Sequence, residues 1–309
     1  MTSYLHKYIF LLSSFLSGRR VISLFLGICS GLLTGQIAYL ISRRKIPQAH
    51  RVAVMGFPRC GKTTLITALF AYMFRDGVRG ASIVPRGEET IQRVNENLEQ
   101  LELGRSVKPT TDQDVFAYRA EVITKSILLS SRYKLEIGDF PGEDTVKFTE
   151  QYGNWLHRTT YFEWAVEADA FVFVVDMRQA MGDSSGAYVA GQKRAFRAAW
   201  QRLQEKHLDG ASNLASKPLI LVFSKCDAFV KNMESFSKDR VYPVEFVELT
   251  PNIQHNLKEI ELVVLEKFSD LISYFERENR RFRTLFTSVY LNVHGDRKGI
   301  PELARFIMP

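Results

Sequence analysis

Apolar positions along this chain follow three patterns. The first is a continuous run, VISLFLGICSGLLTGQIAYLIS, 22 residues from Val21 to Ser42 without a charge. Arg19 and Arg20 bound it on one side, and Arg43, Arg44 and Lys45 on the other. A helix of about 20 apolar residues crosses the hydrocarbon core of a bilayer, and basic residues at its ends reach the headgroups. The run therefore predicts a transmembrane helix over residues 21–42. It exceeds the ~7–15-residue apolar core of a signal peptide, and no small-x-small cleavage site follows it. A helix buried in a protein core would hardly carry charge clusters at both ends. Residues 1–20 include Tyr4 to Ser17, apolar but interrupted by His6 and Lys7, which reads as an interfacial helix. Residues 43–50 read as a linker.

The second pattern is short apolar strands: Arg51–Met55, Val115–Ile123, Tyr133–Asp139, Phe171–Asp176, Pro218–Phe223 and Leu285–Tyr290. The third is helical spacing between them. It appears after Thr63, in a segment over residues 88–103 (Ile91, Val94, Leu98, Leu101, Leu103), and from Asn252 to Arg283 with Arg280, Arg281 and Arg283 at a basic end. Gly299 opens a closing helix. Strands alternating with helices predict an α/β domain over residues 51–309, a mostly parallel sheet wrapped by helices, with ligand at the carboxyl ends of the strands. The helical insertion at 88–103 reads as a helix packed on the flank or as a partner site.

Charge sharpens this division. The net charge is +7, but the first 50 residues hold six Lys/Arg and no acid, which leaves +1 for the other 259. The basicity belongs to the membrane segment. No basic face is left for a phosphate backbone, so nucleic acid is not an expected partner. Cys29, Cys60 and Cys226 have neither disulfide nor zinc spacing, which fits a reducing compartment.

Chemistry enters at GFPRCGKT, Gly56 to Thr63, placed between a strand and a helix as a phosphate-binding loop requires. Gly56 and Gly61 let successive N–H groups turn inward, and the following helix adds the positive end of its dipole. Lys62 would reach the β- and γ-phosphates. Thr63 would offer its hydroxyl to Mg²⁺, and Thr64 follows on the helix. Arg59 and Cys60 are unusual fillers. Arg59 reads as a solvated or phosphate-steering side chain, or as a group stabilising transition-state charge in cis.

Four further segments follow in order: Lys108-Pro-Thr-Thr-Asp112, DFPGE from Asp139 to Glu143, SKCD from Ser224 to Asp227 after a buried strand, and TSVY from Thr287 to Tyr290. Together with VFVVD, ending at Asp176, this order resembles the translation-factor-related class of P-loop GTPases. The DFPGE form and the helical insertion are similar to bacterial YcjX-type and double-GTPase proteins. The layout of an anchor plus a nucleotide domain is similar to the beta subunit of the signal recognition particle receptor.

The resemblance implies GTP and GDP as ligands with Mg²⁺, and a switch acting on a protein effector or activator. Thr110, with Thr111 as the other choice, would cover the Mg²⁺ from the first switch. Asp139 would hold the cation through water, and Gly142 would present its N–H to the γ-phosphate. Asp227 would accept two hydrogen bonds from guanine and leave a buried carboxylate unpaired against adenine. The stem of Lys225 would pack on the base, and Ser288 would lie near the guanine O6 edge. Ser224 departs from the asparagine or threonine of the pattern, and its short hydroxyl would bridge to the phosphate loop less well than an amide, which implies weaker nucleotide binding. Glu143 stands where many such proteins have a glutamine that orients water. That departure implies slow hydrolysis that depends on a partner, and leaves a non-catalytic GTP-binding scaffold as the alternative. GTP is a cytosolic ligand, so the expected topology is a single pass with the nucleotide domain facing the cytosol.

Overall fold

The computed structural model describes Gly31 and residues 49–103, 105, 107, 116–125, 130–140, 164–208, 214–229, 247–248, 251–293 and 296–309. The chain divides into two compact units, Met1–Ile46 and Pro47–Pro309. The first, with the expected interfacial and transmembrane segments, lies outside the described residues apart from Gly31, as does most of the linker. Among the described residues, no helix is long and apolar enough to cross a membrane.

The second unit is built on a seven-stranded sheet. In chain order its elements are β1 (Ala49–Gly56), α1 (Lys62–Asp76), β2 (Ala81–Pro85), α2 (Glu88–Glu102), β3 (Phe116–Lys125), β4 (Ser130–Asp139), β5 (Ala170–Asp176), α3 (Met177–Gly182), α4 (Ala187–Leu208) and β6 (Leu219–Ser224). A two-residue strand, β7 (Val247–Glu248), precedes α5 (Pro251–Lys267), α6 (Ser269–Glu278), β8 (Phe282–Phe286), β9 (Leu291–Val293), β10 (Asp296–Arg297) and α7 (Ile300–Ile307). Strand order is β2-β3-β4-β1-β5-β6-β8, and β7, β9 and β10 form a second, small sheet. From β4 across β1, β5 and β6 to β8 every pairing is parallel, while β2–β3 and β3–β4 are antiparallel. This is a mixed α/β arrangement, a mostly parallel sheet flanked by helices, as the pattern of strands and helices predicts.

The central strands are apolar on both faces because helices cover both. Along β1, Val52 and Val54 point into one core with α1 and α7, while Ala53 and Met55 point into the other with α4, α5 and α6. In the second core Phe173 lies between Phe196 and Phe275, both stacked on it at ring-centroid distances of 4.7 and 5.7 Å. Trp200 closes that cluster edge-on to Phe171 at 5.6 Å.

Several boundaries differ from the sequence pattern. β1 begins at Ala49, inside the expected linker, because His50 is buried with Nε2 donating to the Ile307 carbonyl at 2.6 Å. On α2 the inward residues are Thr90, Val94, Asn97 and Leu101, whereas Ile91 is 41% exposed. The helix packs on the flank against α1 and β3, as one of the two readings held. The long helix expected to Arg283 breaks at Phe268 (φ −106°, ψ 9°), whose fully buried ring turns α6 so that Leu271 and Phe275 also face inward. Arg283 therefore lies in β8, and Arg281 and Arg283 hold their guanidinium groups 5.9 and 5.1 Å from the Phe306 ring centre instead of ending a helix. The last strand of the large sheet ends at Phe286, so Thr287 to Tyr290 form a loop.

Trp200→Ala is expected to lower the unfolding free energy by about 3–5 kcal/mol through lost burial and a residual cavity. Urea denaturation with an unchanged m-value would show it.

Candidate functional site

β1 runs straight into the phosphate loop. Gly56 packs so closely on β5 that a Cβ there would stand 2.6 Å from the Val174 carbonyl oxygen and 2.7 Å from Cys60 Sγ. The chain then turns through Arg59 (φ 61°) and Gly61 (φ 92°) before α1 begins at Lys62. Left-handed backbone at a non-glycine residue is uncommon and needs outside support. Arg59 receives it through its carbonyl, which accepts a hydrogen bond of 2.5 Å from the Lys225 ammonium. The Arg59 residue itself is exposed, and the Cys60 side chain is fully buried. Burial pushes the Cys60 thiol up.

No acidic residue and no side-chain cap occupies the start of α1, so the positive end of its dipole meets no protein carboxylate in the first turn. Lys62 is 7% exposed and donates to the Gly56 and Phe57 carbonyls at 2.9 and 3.2 Å, across the mouth of the loop. Thr63 donates its hydroxyl proton to Asp139 Oδ2 at 2.7 Å. Asp139 is the last residue of β4 and fully buried. Thr64 is half-buried in the same first turn.

The neighbouring strand end closes on this loop. Ser224, at the end of β6, places Oγ 2.6 Å from the Cys60 carbonyl and 3.0 Å from that of Val175. Its short hydroxyl therefore does reach the phosphate loop. Lys225 (φ 61°) reaches over Gly61 and pairs with Asp176 Oδ2 at 2.7 Å. Asp176 caps α3 as well, accepting from the Arg178 and Gln179 N–H groups at 2.9 and 3.2 Å. Asp176 is absent from the site read in the sequence. Its signal was present in VFVVD, where a strand apolar throughout ends on one carboxylate.

Asp227 lies in a short 3₁₀ turn after β6, and the loop after β8 meets it. Ser288 Oγ accepts the N–H groups of Tyr290 and Leu291 at 3.0 and 3.1 Å, so its own proton is left to donate to Asp227 Oδ1 at 2.5 Å. The side chain of Ser288 thus orients the aspartate. The loop itself is pinned to β6 by Thr287 N–H on the Phe223 carbonyl at 2.9 Å. Burial pushes the Asp227 carboxyl up from its ordinary range, opposed by the Ser288 hydrogen bond.

The structure thus gathers Gly56, Arg59, Cys60, Gly61, Lys62, Thr63, Thr64, Asp139, Ser224 and Lys225 around one loop, with Asp227 and Ser288 beside them. Thr110, Thr111, Gly142 and Glu143 lie outside the described residues. Among the described residues no group of three or more His, Cys, Asp or Glu could hold a metal by itself. Thr63 and Asp139 supply hard oxygens that suit Mg²⁺ only if phosphate and water complete its shell.

No protein-family model matches the chain, and no curated protein does. Among solved structures it is similar to the Methanosarcina barkeri Roco2 RocCORdC structure bound to GDP. The likeness has 12% identity and a TM-score of 0.31, and covers 84% of this chain and 47% of that one. A likeness at that level assigns nothing to this protein.

The raised Asp227 pKa gives a signed prediction. The folded state holds the Asp227 proton to higher pH than the unfolded state does, so this group costs stability as pH rises from the usual aspartate range through its raised value. Asp227→Asn keeps an acceptor for Ser288 and removes the half-buried charge. In the absence of nucleotide it is expected to raise the melting temperature at pH 7.5, with the gain disappearing near pH 4.

Proposed function

We propose that this chain binds GTP and GDP with Mg²⁺ and hydrolyses GTP slowly as a switch at a membrane in which residues 21–42 anchor it. The observation that carries the nucleotide reading is the physical joining of three strand ends. The phosphate loop after β1 is bonded to Asp139 of β4 through Thr63, and to the end of β6 through Ser224 and Lys225. Asp227 stands two residues further on, already held by Ser288. A phosphate cradle and a base-reading carboxylate are thereby fixed to each other, at the position where open α/β sheets take ligands.

Each group has a defined task in this reading. The N–H groups of the loop and of the first turn of α1 bind the phosphate oxygens, and Lys62 neutralises them. Thr63 and Asp139 would hold Mg²⁺, which supplies charge compensation on the β- and γ-phosphates. With its proton committed to Asp139, the Thr63 hydroxyl has lone pairs for a cation. Asp227 selects guanine, because adenine lacks the pair of donors that would satisfy a half-buried carboxylate. Thr110, Gly142 and Glu143 carry the hydrolytic part on sequence pattern alone. Within the P-loop GTPases, the DFPGE form and α2 support a place near YcjX-type and double-GTPase proteins.

The test uses the full chain in detergent and a fluorescent GDP. Unlabelled GTP and GDP are expected to displace it and ATP is not, and Asp227→Ala should cut affinity for GDP by at least about tenfold. Displacement by ATP as readily as by GTP would end the guanine reading. Multiple-turnover phosphate release separates slow hydrolysis from a scaffold that only binds. Deleting residues 21–42 should move the protein from the membrane fraction to the supernatant.

A further inference from the structure

The inner face of helix α2 is more polar than packing requires. It buries Thr90 and Asn97 beside Val94 and Leu101, while Ile91 remains 41% exposed. Buried polar side chains cost free energy unless they are hydrogen-bonded. Thr90 meets that requirement by accepting the Arg119 N–H at 3.1 Å, which ties the start of α2 to β3. Asn97 points elsewhere. Its Nδ2 lies 3.4 Å from Thr67 Oγ1 and 3.5 Å from the Tyr118 hydroxyl.

Those two partners stand directly behind the Thr63–Asp139 pair. Thr67 is fully buried one helical turn after Thr63, and its hydroxyl donates to the Thr63 carbonyl at 2.9 Å. Tyr118 is fully buried on β3, next to β4. Burial, then the charge of Asp139, push its phenol well above the usual range, so it stays protonated and keeps a donor in the cluster. Polar groups from α2 and β3 therefore gather at Thr67, whose hydroxyl holds the Thr63 carbonyl, while Asp139 of β4 holds the Thr63 hydroxyl.

We infer that Asn97 and Thr67 are positioning residues for the Thr63–Asp139 pair, through which helix α2 sets how tightly the site holds Mg²⁺ with its nucleotide. The inference rests on the nucleotide reading above. The Thr63 hydroxyl serves a cation only while its lone pairs face outward and its proton faces Asp139, so whatever fixes the first turn of α1 fixes the metal site. Thr67 does this by gripping the Thr63 carbonyl, and Asn97 in turn occupies the Thr67 oxygen. Partners one bond removed from a metal ligand generally govern its orientation and affinity. Packing alone would be served by apolar side chains, as at the neighbouring Ile66, Leu69 and Val94.

The experiment follows release of fluorescent GDP from the full chain in detergent as free Mg²⁺ is varied. Asn97→Leu is expected to raise by about tenfold the Mg²⁺ concentration that half-maximally slows release, while leaving release in excess chelator at its wild-type rate. Thr67→Val, nearly isosteric and safer for folding, should shift the midpoint likewise, whereas Thr67→Ser, which keeps the hydroxyl, should restore it. The double variant should shift it no further than either single one. Lower melting temperatures with an unchanged Mg²⁺ midpoint would reduce the cluster to packing and overturn the inference alone. Failure of the wild-type chain to bind GDP would overturn the nucleotide reading together with it.

Discussion

The candidate site depends on the phosphate loop and the end of β6 behaving as one body. The loop needs left-handed backbone at Arg59, and the strand end needs it at Lys225. Neither residue is glycine, so each conformation costs on the order of 1 kcal/mol or more. The Lys225 ammonium bonded to the Arg59 carbonyl at 2.5 Å holds both in place, and a hydrogen bond from a charged donor contributes about 1.5–3 kcal/mol. Asp176 completes the arrangement. It lies within 2.7 Å of the ammonium and keeps that charge from entering a half-buried space alone.

Two buried carboxylates and one half-buried one divide the work around this body. Asp176 is spent on structure, with a helix cap and an ion pair. Asp139 receives the Thr63 proton and joins the end of β4 to the first turn of α1. Asp227 is held by the Ser288 proton, and burial pushes its carboxyl up against that bond. Such a group is costly to the empty protein and useful to one whose ligand supplies the missing donors.

The flank is also more than packing material. α2 is anchored to β3 by Thr90 and reaches the back of the Thr63–Asp139 pair through Asn97 and Thr67. Because Thr67 and Thr63 share one helical turn of α1, a displacement of α2 would be felt at the first turn of that helix. The physical requirement is only that the buried polar groups keep their partners.

Sequence alone determined the features that depend on local order and length. GFPRCGKT reads as a phosphate loop because its glycines and its Lys-Thr act through nearby backbone, and the strand and helix on either side are visible as apolar runs. The 21–42 segment carries only the expectation of a membrane span, drawn from its apolar length, and apart from Gly31 it lies outside the described residues. The strand-end placement of Asp139, Ser224 and Asp227 follows from where apolar runs stop. What only the tertiary structure decided are matters of partner and face. Helical periodicity cannot reveal that α2 turns Asn97 inward and Ile91 outward, since the deciding groups, Thr67 and Tyr118, lie 30 and 21 residues away. Nor can it foresee the break at Phe268, which the core enforces on a segment whose pattern continues unbroken. Asp176 and the orienting role of Ser288 were hidden for the same reason: a side chain's task is set by which distant groups the folded chain brings within hydrogen-bond reach.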